Sequence, residues 1–318
     1  CGPTAAADVE AARSRIRKFD DMSREFARVA VRRERIARRE EELEHSVAAR
    51  ESYFVAALFY ASAQWPIFEN SPENRRLDQK KVECYSKYAL YADHEVRKAE
   101  IPFQGKSLPG WLHLPRVRSA EPVPCVLSIP GMDAFKEGRV AMYGDRLLER
   151  GVAVLAIEGP GQYEALLRGI HADTTNWLDA GKEMIAWVRS QPELDPERVG
   201  VTGSSFGSFW ATQVASVGSR LKGCAVQMVA HEPARYTLFH LESPTFKLRF
   251  MFMSGYEDEE EFDRFMQGMS LEGVGEKIGC PYLVVAGEDD SHSPIEYTYR
   301  LLDTIKSPKE LILYEGAD

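Results

Sequence analysis

The spacing of apolar residues changes its period near residue 95. Before that point the pattern is helical, from about Asp8 to Ala92. Ile16, Phe19, Met22, Phe26 and Val29 recur three and four apart, which predicts one continuous helix face. The run "YFVAALFYASAQWP" predicts an apolar helix ending near Pro66, and Val82, Tyr85, Tyr88 and Ala92 mark another. Between them, "RRERIARREEELE" (Arg32–Glu44) mixes both charge signs at helical spacing and reads as a solvated face. These helices cannot all bury their apolar faces alone, so they are expected to pack on the following domain or on a second subunit.

After Glu95 the grammar becomes one of strands and turns. "EVRKAEIPF" and "SLPGWLHLP" predict a hairpin. Then follow "PVPCVLSIPG", "GVAVLAIEGPG", "ERVGVTGSS", "LKGCAVQMVA", "CPYLVVAGEDD" and "KELILYEGAD", short apolar runs of the kind found in strands buried on both faces. Helical patterns at Val140–Arg150, Trp177–Gln191, Phe206–Val217 and Ile295–Ile305 separate most of them. Strands alternating with helices predict an α/β class with a mostly parallel sheet. Residues 232–276 interrupt the rhythm with a Phe- and Met-rich, then acidic, helical stretch, expected to be a lid inserted over the carboxyl edge of the sheet. The domain reading is a helical domain over 1–94, a core over 95–231 and 277–318, and the lid over 232–276.

Composition narrows the class. The 318 residues are 44% hydrophobic and 28% charged, ordinary for a globular protein. A net charge of −9, without clustered Lys and Arg, argues against a nucleic-acid surface and against an anionic membrane. No apolar stretch reaches membrane-span length and no signal peptide is evident, so a cytoplasmic location is expected. The five cysteines are widely spaced, with no C-x-x-C pair. Cys125 and Cys224 lie in apolar runs and Cys280 precedes one, which suits small core residues better than disulfides or a metal site. The chain opens on Cys1 and not on Met, which leaves room for further residues at either end.

The candidate chemistry sits in "VGVTGSSFGSFWA" (Val199–Ala211). A strand ending in G-x-S-x-G and turning directly into a helix is the pattern of a nucleophile elbow, with Gly203, Ser205 and Gly207 on its fixed positions. Ser204 stands one position too early, so attack is assigned to Ser205. A serine hydroxyl needs a base, an orienting acid and an oxyanion hole. One oxyanion donor is expected from the backbone N–H of Phe206, at the start of the helix. The other is expected from Met132, after Pro-Gly in "SIPGMDAFKEG", with Asp133 as the alternative. The acid is expected in "LVVAGEDDSHSP" at Asp290, with Asp289 as the alternative. The histidine should follow one more helix and strand, and the sequence stops there. None of His45, His94, His113, His171, His231, His240 and His292 stands in the right order or distance, so the base is expected just beyond Asp318. His231 and Glu232 follow the sixth strand and are expected to face the same crevice and bind substrate. Glu232 is open to a role with a substrate hydroxyl or in proton transfer, and equally to a helix N-terminal charge. "IEGPGQYEA" lacks the full glycine spacing of a nucleotide loop, and no cofactor or metal is indicated.

"PGMDAFKE", "EGPGQ" and "GSSFG", behind an N-terminal helical region, resemble a group of α/β-hydrolases. It contains 2,6-dihydroxypseudooxynicotine hydrolase and the polyketide-shortening hydrolases of pigment pathways. The resemblance implies a Ser–His–Asp triad, a homodimer and hydrolysis of a carbon–carbon bond next to a ketone, on an apolar or aromatic small-molecule substrate. Ser205 and Asp290 would be triad members, Met132 and Phe206 the oxyanion donors, and Glu232 the nearest match to a substrate-orienting glutamate. Two rival readings stay open: a carboxylesterase or thioesterase using the same residues, and a binding protein on a hydrolase scaffold.

Overall fold

The structure, a computed structural model, describes residues 2–116, 121–143, 145–218, 220–234, 239 and 243–317. The chain divides into two compact units, residues 1–97 with 140–144, and residues 98–139 with 145–318.

The first unit is helical: α1 (Gly2–Arg13), α2 (Asp21–Glu42), α3 (Ser46–Gln64) and α4 (Pro72–Tyr91). Ala30, Ala37, Ala49, Ala56, Ala57, Ala61 and Ala63 are fully buried, and such small side chains let neighbouring helices approach closely. α4 starts on a cap in which Ser71 Oγ accepts from Asn74 N, with Pro72 in the first turn. Two expectations are corrected. Ile16 and Phe19 do not share a helix with Met22, because Asp21 Oδ2 accepts from the N–H groups of Arg17 and Lys18 and closes a turn there. Nor is Arg32–Glu44 a purely solvated face. Glu34 is buried and accepts from Tyr60 Oη at 2.6 Å and Arg38 Nη2 at 2.6 Å. One helical stripe further along, Glu41 accepts from Lys87 at 2.6 Å, Tyr53 at 2.5 Å and Tyr91 at 2.7 Å. The Lys87 bond leads in holding its carboxyl down at about 2.

The second unit carries an eight-stranded sheet, ordered β1-β2-β4-β3-β5-β6-β7-β8. Its strands are β1 (Val96–Phe103), β2 (Lys106–His113), β3 (Val123–Ile129), β4 (Ala153–Ile157), β5 (Leu194–Ser205), β6 (Cys224–Val229), β7 (Tyr282–Gly287) and β8 (Lys309–Tyr314). β2 runs antiparallel to β4, and every pair from β4 through β3 to β8 is parallel. The helices are α5 (Tyr163–Leu167), α6 (Asn176–Ser190), α7 (Phe206–Val217), α8 (Pro244–Ser254), α9 (Glu259–Met266) and α10 (Ile295–Thr304). This is the α/β-hydrolase fold. Parallel strands put their carboxyl ends on one edge, so the loops after β3, β4, β5, β6, β7 and β8 gather there, where ligands of open α/β sheets bind.

Two further readings change. Val140–Arg150 forms short 3₁₀ turns at Ala141–Tyr143 and Leu148–Arg150, not an α-helix, with Asp145 between them in the left-handed region (φ 54°). The last strands are not buried on both faces: β7 alternates buried and half-buried positions, and on edge strand β8 Ile312 and Tyr314 are exposed. Cys84, Cys125, Cys224 and Cys280 are free and buried, as core thiols should be. Burial pushes the Cys125 thiol up to about 12, which keeps it unreactive. Among the described residues no helix is long and apolar enough to cross a membrane.

Candidate active site

Ser205 ends β5 and precedes α7 with φ 54° and ψ −135°, a conformation that costs a non-glycine residue roughly 1–3 kcal/mol. The ladder to β6 shifts register between Ser204 and Ser205, where the chain breaks out of the strand. Two glycines make the turn possible. A Cβ on Gly203 would lie 2.1 Å from the carbonyl oxygen of Gly207, and one on Gly207 would lie 2.6 Å from those of Ile129 and Pro130. Backbone cannot yield to such contacts, so any side chain at either position would open the elbow. Ser204 is occupied elsewhere: its Oγ accepts from Arg139 Nη1 at 3.0 Å, and Arg139 Nε donates to Ser128 Oγ.

The loop after β3 lies against the serine. A Cβ on Gly131 would stand 3.1 Å from Ser205 Cβ and 3.5 Å from Oγ. Met132 follows, its side chain buried, and the Phe206 ring is buried against Trp210 and Phe250. The loop is held by side chains whose role the sequence does not suggest. Buried Gln162 donates from Nε2 to the carbonyls of Pro130 (2.7 Å) and Gly131 (3.1 Å), while its Oε1 accepts from Gly159 N. Tyr163 Oη donates to the Asp133 carbonyl. Lys136 Nζ lies 2.9, 3.0 and 2.8 Å from Glu137, Glu158 and Glu164. The loops "PGMDAFKE" and "EGPGQ" are therefore stapled to each other. The motifs carried the signal; their contact across neighbouring strands did not show in one dimension.

Asp290 follows β7, its side chain largely buried. Its Oδ1 accepts from His292 N at 2.9 Å and lies 3.5 Å from exposed His292 Nδ1. The alternative acid, Asp289, donates its N–H to the Ala317 carbonyl at 3.0 Å, so the chain leaving β8 runs alongside the Asp290 loop.

Of the expected crevice-facing pair, His231 is placed differently. His231 is fully buried, with Nδ1 3.0 Å from Thr298 Oγ1 and Nε2 3.4 Å from Tyr282 Oη, so it faces the core and not the crevice. Desolvation drives its pKa from 6.5 down to about 3. The unfolded chain therefore binds a proton there that the folded chain refuses. The stabilisation is full above pH 6.5 and is lost as pH falls toward about 3, with a slope approaching ~1.4 kcal/mol per pH unit. Urea midpoints at pH 7.5 and pH 5 should separate more in the wild type than in His231→Gln; equal separations would contradict this. Glu232, at φ 56°, spends both carboxylate oxygens on the segment downstream, accepting from Leu271 N at 2.6 Å and Ser270 Oγ at 2.7 Å. The aromatic residues of 236–266 that are described are mostly packing: Phe239, Phe250 and Phe262 form a buried cluster joined to Phe206.

A parallel-sheet edge carrying a strained serine on a glycine-gated elbow defines the class of α/β-hydrolases. The chain belongs to the FrsA-like esterase family, which it matches over residues 20–240. It is 30% identical over 189 residues to the alpha/beta hydrolase gkaG of Penicillium citrinum, covering 56% of this chain and 44% of that protein. It is 26% identical over 275 residues to 2,6-dihydropseudooxynicotine hydrolase of Paenarthrobacter nicotinovorans, covering 86% of this chain and 71% of the relative. The chain spans about half the length of the first curated relatives it matches. In structure it is similar to 2,6-dihydroxy-pseudo-oxynicotine hydrolase, with a TM-score of 0.83 over 98% of this chain and 86% of the other, at 22% identity. At that identity the likeness carries the fold.

Proposed function

We propose that this protein is a serine hydrolase that cleaves a carbon–carbon bond next to a ketone through an acyl-enzyme. One observation carries the reading: Ser205 is held at φ 54° on an elbow whose neighbouring loop is braced by Gln162. Strain of that kind persists only where the surroundings impose it. Ser205 Oγ attacks the ketone carbon as its proton passes to the base. The N–H groups of Met132 and Phe206 receive the developing alkoxide. The carbon–carbon bond breaks, the electron pair leaves as an enolate, and the protonated base returns its proton to that carbon. Water, deprotonated by the same base, attacks the acyl ester and releases a carboxylic acid and free Ser205. Asp290 orients the base and stabilises its charged form.

The base in this proposal is a histidine directly after Asp318. It is supported by the hydrogen bond between Asp289 and Ala317, which brings the chain after β8 to Asp290. Proton return is assigned to the base and not to Glu232, whose two carboxylate oxygens are engaged by Ser270 and Leu271. The match to an esterase family supports a second reading, ester hydrolysis by the same residues. Turnover of 1-phenyl-1,3-butanedione and of 4-nitrophenyl butyrate separates the two. Ester cleavage with no cleavage of any β-diketone sinks the carbon–carbon version and leaves the esterase.

A further inference from the structure

We infer that Arg249 is the counter-ion for a carboxylate carried by the substrate, so that the site acts on acidic ketones or esters. This deepens the reading of Ser205 as nucleophile and rests on it. Arg249 lies on α8 and is 1% exposed. Its guanidinium carbon stands 4.8 Å from the Tyr163 ring centroid and 5.9 Å from that of Phe252. Tyr163 donates to the carbonyl of Asp133, the residue after Met132, so the guanidinium is one side chain removed from the loop assigned to the oxyanion.

The buried cations of this molecule otherwise come with carboxylates. Lys136 has Glu137, Glu158 and Glu164; Lys247 has Glu259 and Asp263; Lys81 has Asp78. Arg249 has none within ion-pair distance among the described residues, and its buried Nε has no hydrogen-bond partner. Burial pushes the Arg249 guanidinium below its ordinary range, and Tyr163, then Asp133 and Glu158, oppose this only partly. Glu158 is already committed to Lys136. The guanidinium meets Tyr163 through a cation–π contact and not an ion pair, and its planar fork of donors is the kind that matches a carboxylate in two parallel hydrogen bonds. A packing role alone would be served by Met or Leu at no electrostatic cost. A buried charge next to the reaction loop, with no anion within ion-pair distance among the described residues, fits a ligand anion.

The test has two arms on the full chain. In the first, Ser205→Ala protein is titrated with 3-phenylpropionate and with 3-phenylpropionamide by calorimetry. The acid should bind at least about tenfold more tightly than the amide. The gap should close in Ser205→Ala/Arg249→Met and survive in part with Arg249→Lys. Equal binding of acid and amide, or binding of neither, overturns the inference; if Arg249→Met fails to fold, the contrast with Arg249 intact still decides. In the second arm, the unmodified chain is given the mono-4-nitrophenyl ester of glutaric acid and 4-nitrophenyl butyrate. A kcat/KM at least about tenfold higher for the acidic ester supports the inference. Equal values refute it and leave Ser205 standing. Turnover of neither ester refutes the reading of Ser205, and the binding contrast then decides the role of Arg249 by itself.

Discussion

Ser205→Ala is expected to abolish covalent labelling by a fluorophosphonate and to lower turnover by more than about a thousandfold. The same substitution at Ser204 should leave labelling in place. The two serines are neighbours in sequence but stand in different environments. Ser204 is an acceptor for Arg139, on the side of Ser128, and its loss removes one hydrogen bond. Ser205 sits at the elbow apex, half-buried, facing the Gly131 loop. Alanine there keeps the backbone and removes the hydroxyl that the proposed mechanism acylates, so a folded but unlabelled protein is the predicted outcome. Intact mass before and after labelling, followed by peptide mapping, reads the result. An adduct on Ser204, or unchanged labelling in Ser205→Ala, would remove Ser205 from the mechanism. The same spectrum gives the mass of the natural chain, and with it a direct check for residues after Asp318.

How far the sequence revealed this site depended on whether the cue was local. The elbow could be read at once, because G-x-S-x-G at a strand-to-helix junction is a requirement of short-range sterics, and the contacts at Gly203 and Gly207 are those sterics made explicit. The strands and α6, α7 and α10 were equally readable from apolar runs and helical spacing. What failed were inferences about where a side chain points. His231 does follow β6, but residue order cannot tell a ring packed under α10 from one facing the crevice. Glu34 and Glu41 looked like solvent charges until three tyrosines on facing helices claimed them. The bracing of the loop after β3 joins residues of the β3 and β4 loops that lie 32 and 22 positions apart, and such pairings need the fold.

The second large effect concerns that bracing. Lys136→Met should destabilise the protein by about 3–5 kcal/mol, the cost of removing one partner from a buried ionic cluster. Lys136 is 1% exposed, and Glu137 and Glu158 are both fully buried. The ammonium is what makes their proximity tolerable. Glu158 also accepts from the backbone N–H groups of Lys136 and Glu164, and Glu137 from Trp111 Nε1, so neither carboxylate can swing out to solvent without breaking further bonds. Methionine fills the volume but leaves the negative charges facing one another in a low dielectric. An exposed pair gives the control. Lys182 and Asp179, 2.7 Å apart but more than half exposed, should cost less than about 1 kcal/mol when Lys182 becomes Met. Urea midpoints of both variants settle the comparison. Adding Glu158→Gln to Lys136→Met should recover part of the loss, since one of the opposed charges is gone. If Lys136→Met were no worse than Lys182→Met, the cluster could not be what holds the loop. If it behaves as expected, residual folded protein should also label more slowly at Ser205, because the loop carrying Met132 has lost its tie to β4. Such coupling would link the ionic cluster to the rate at which the serine reacts.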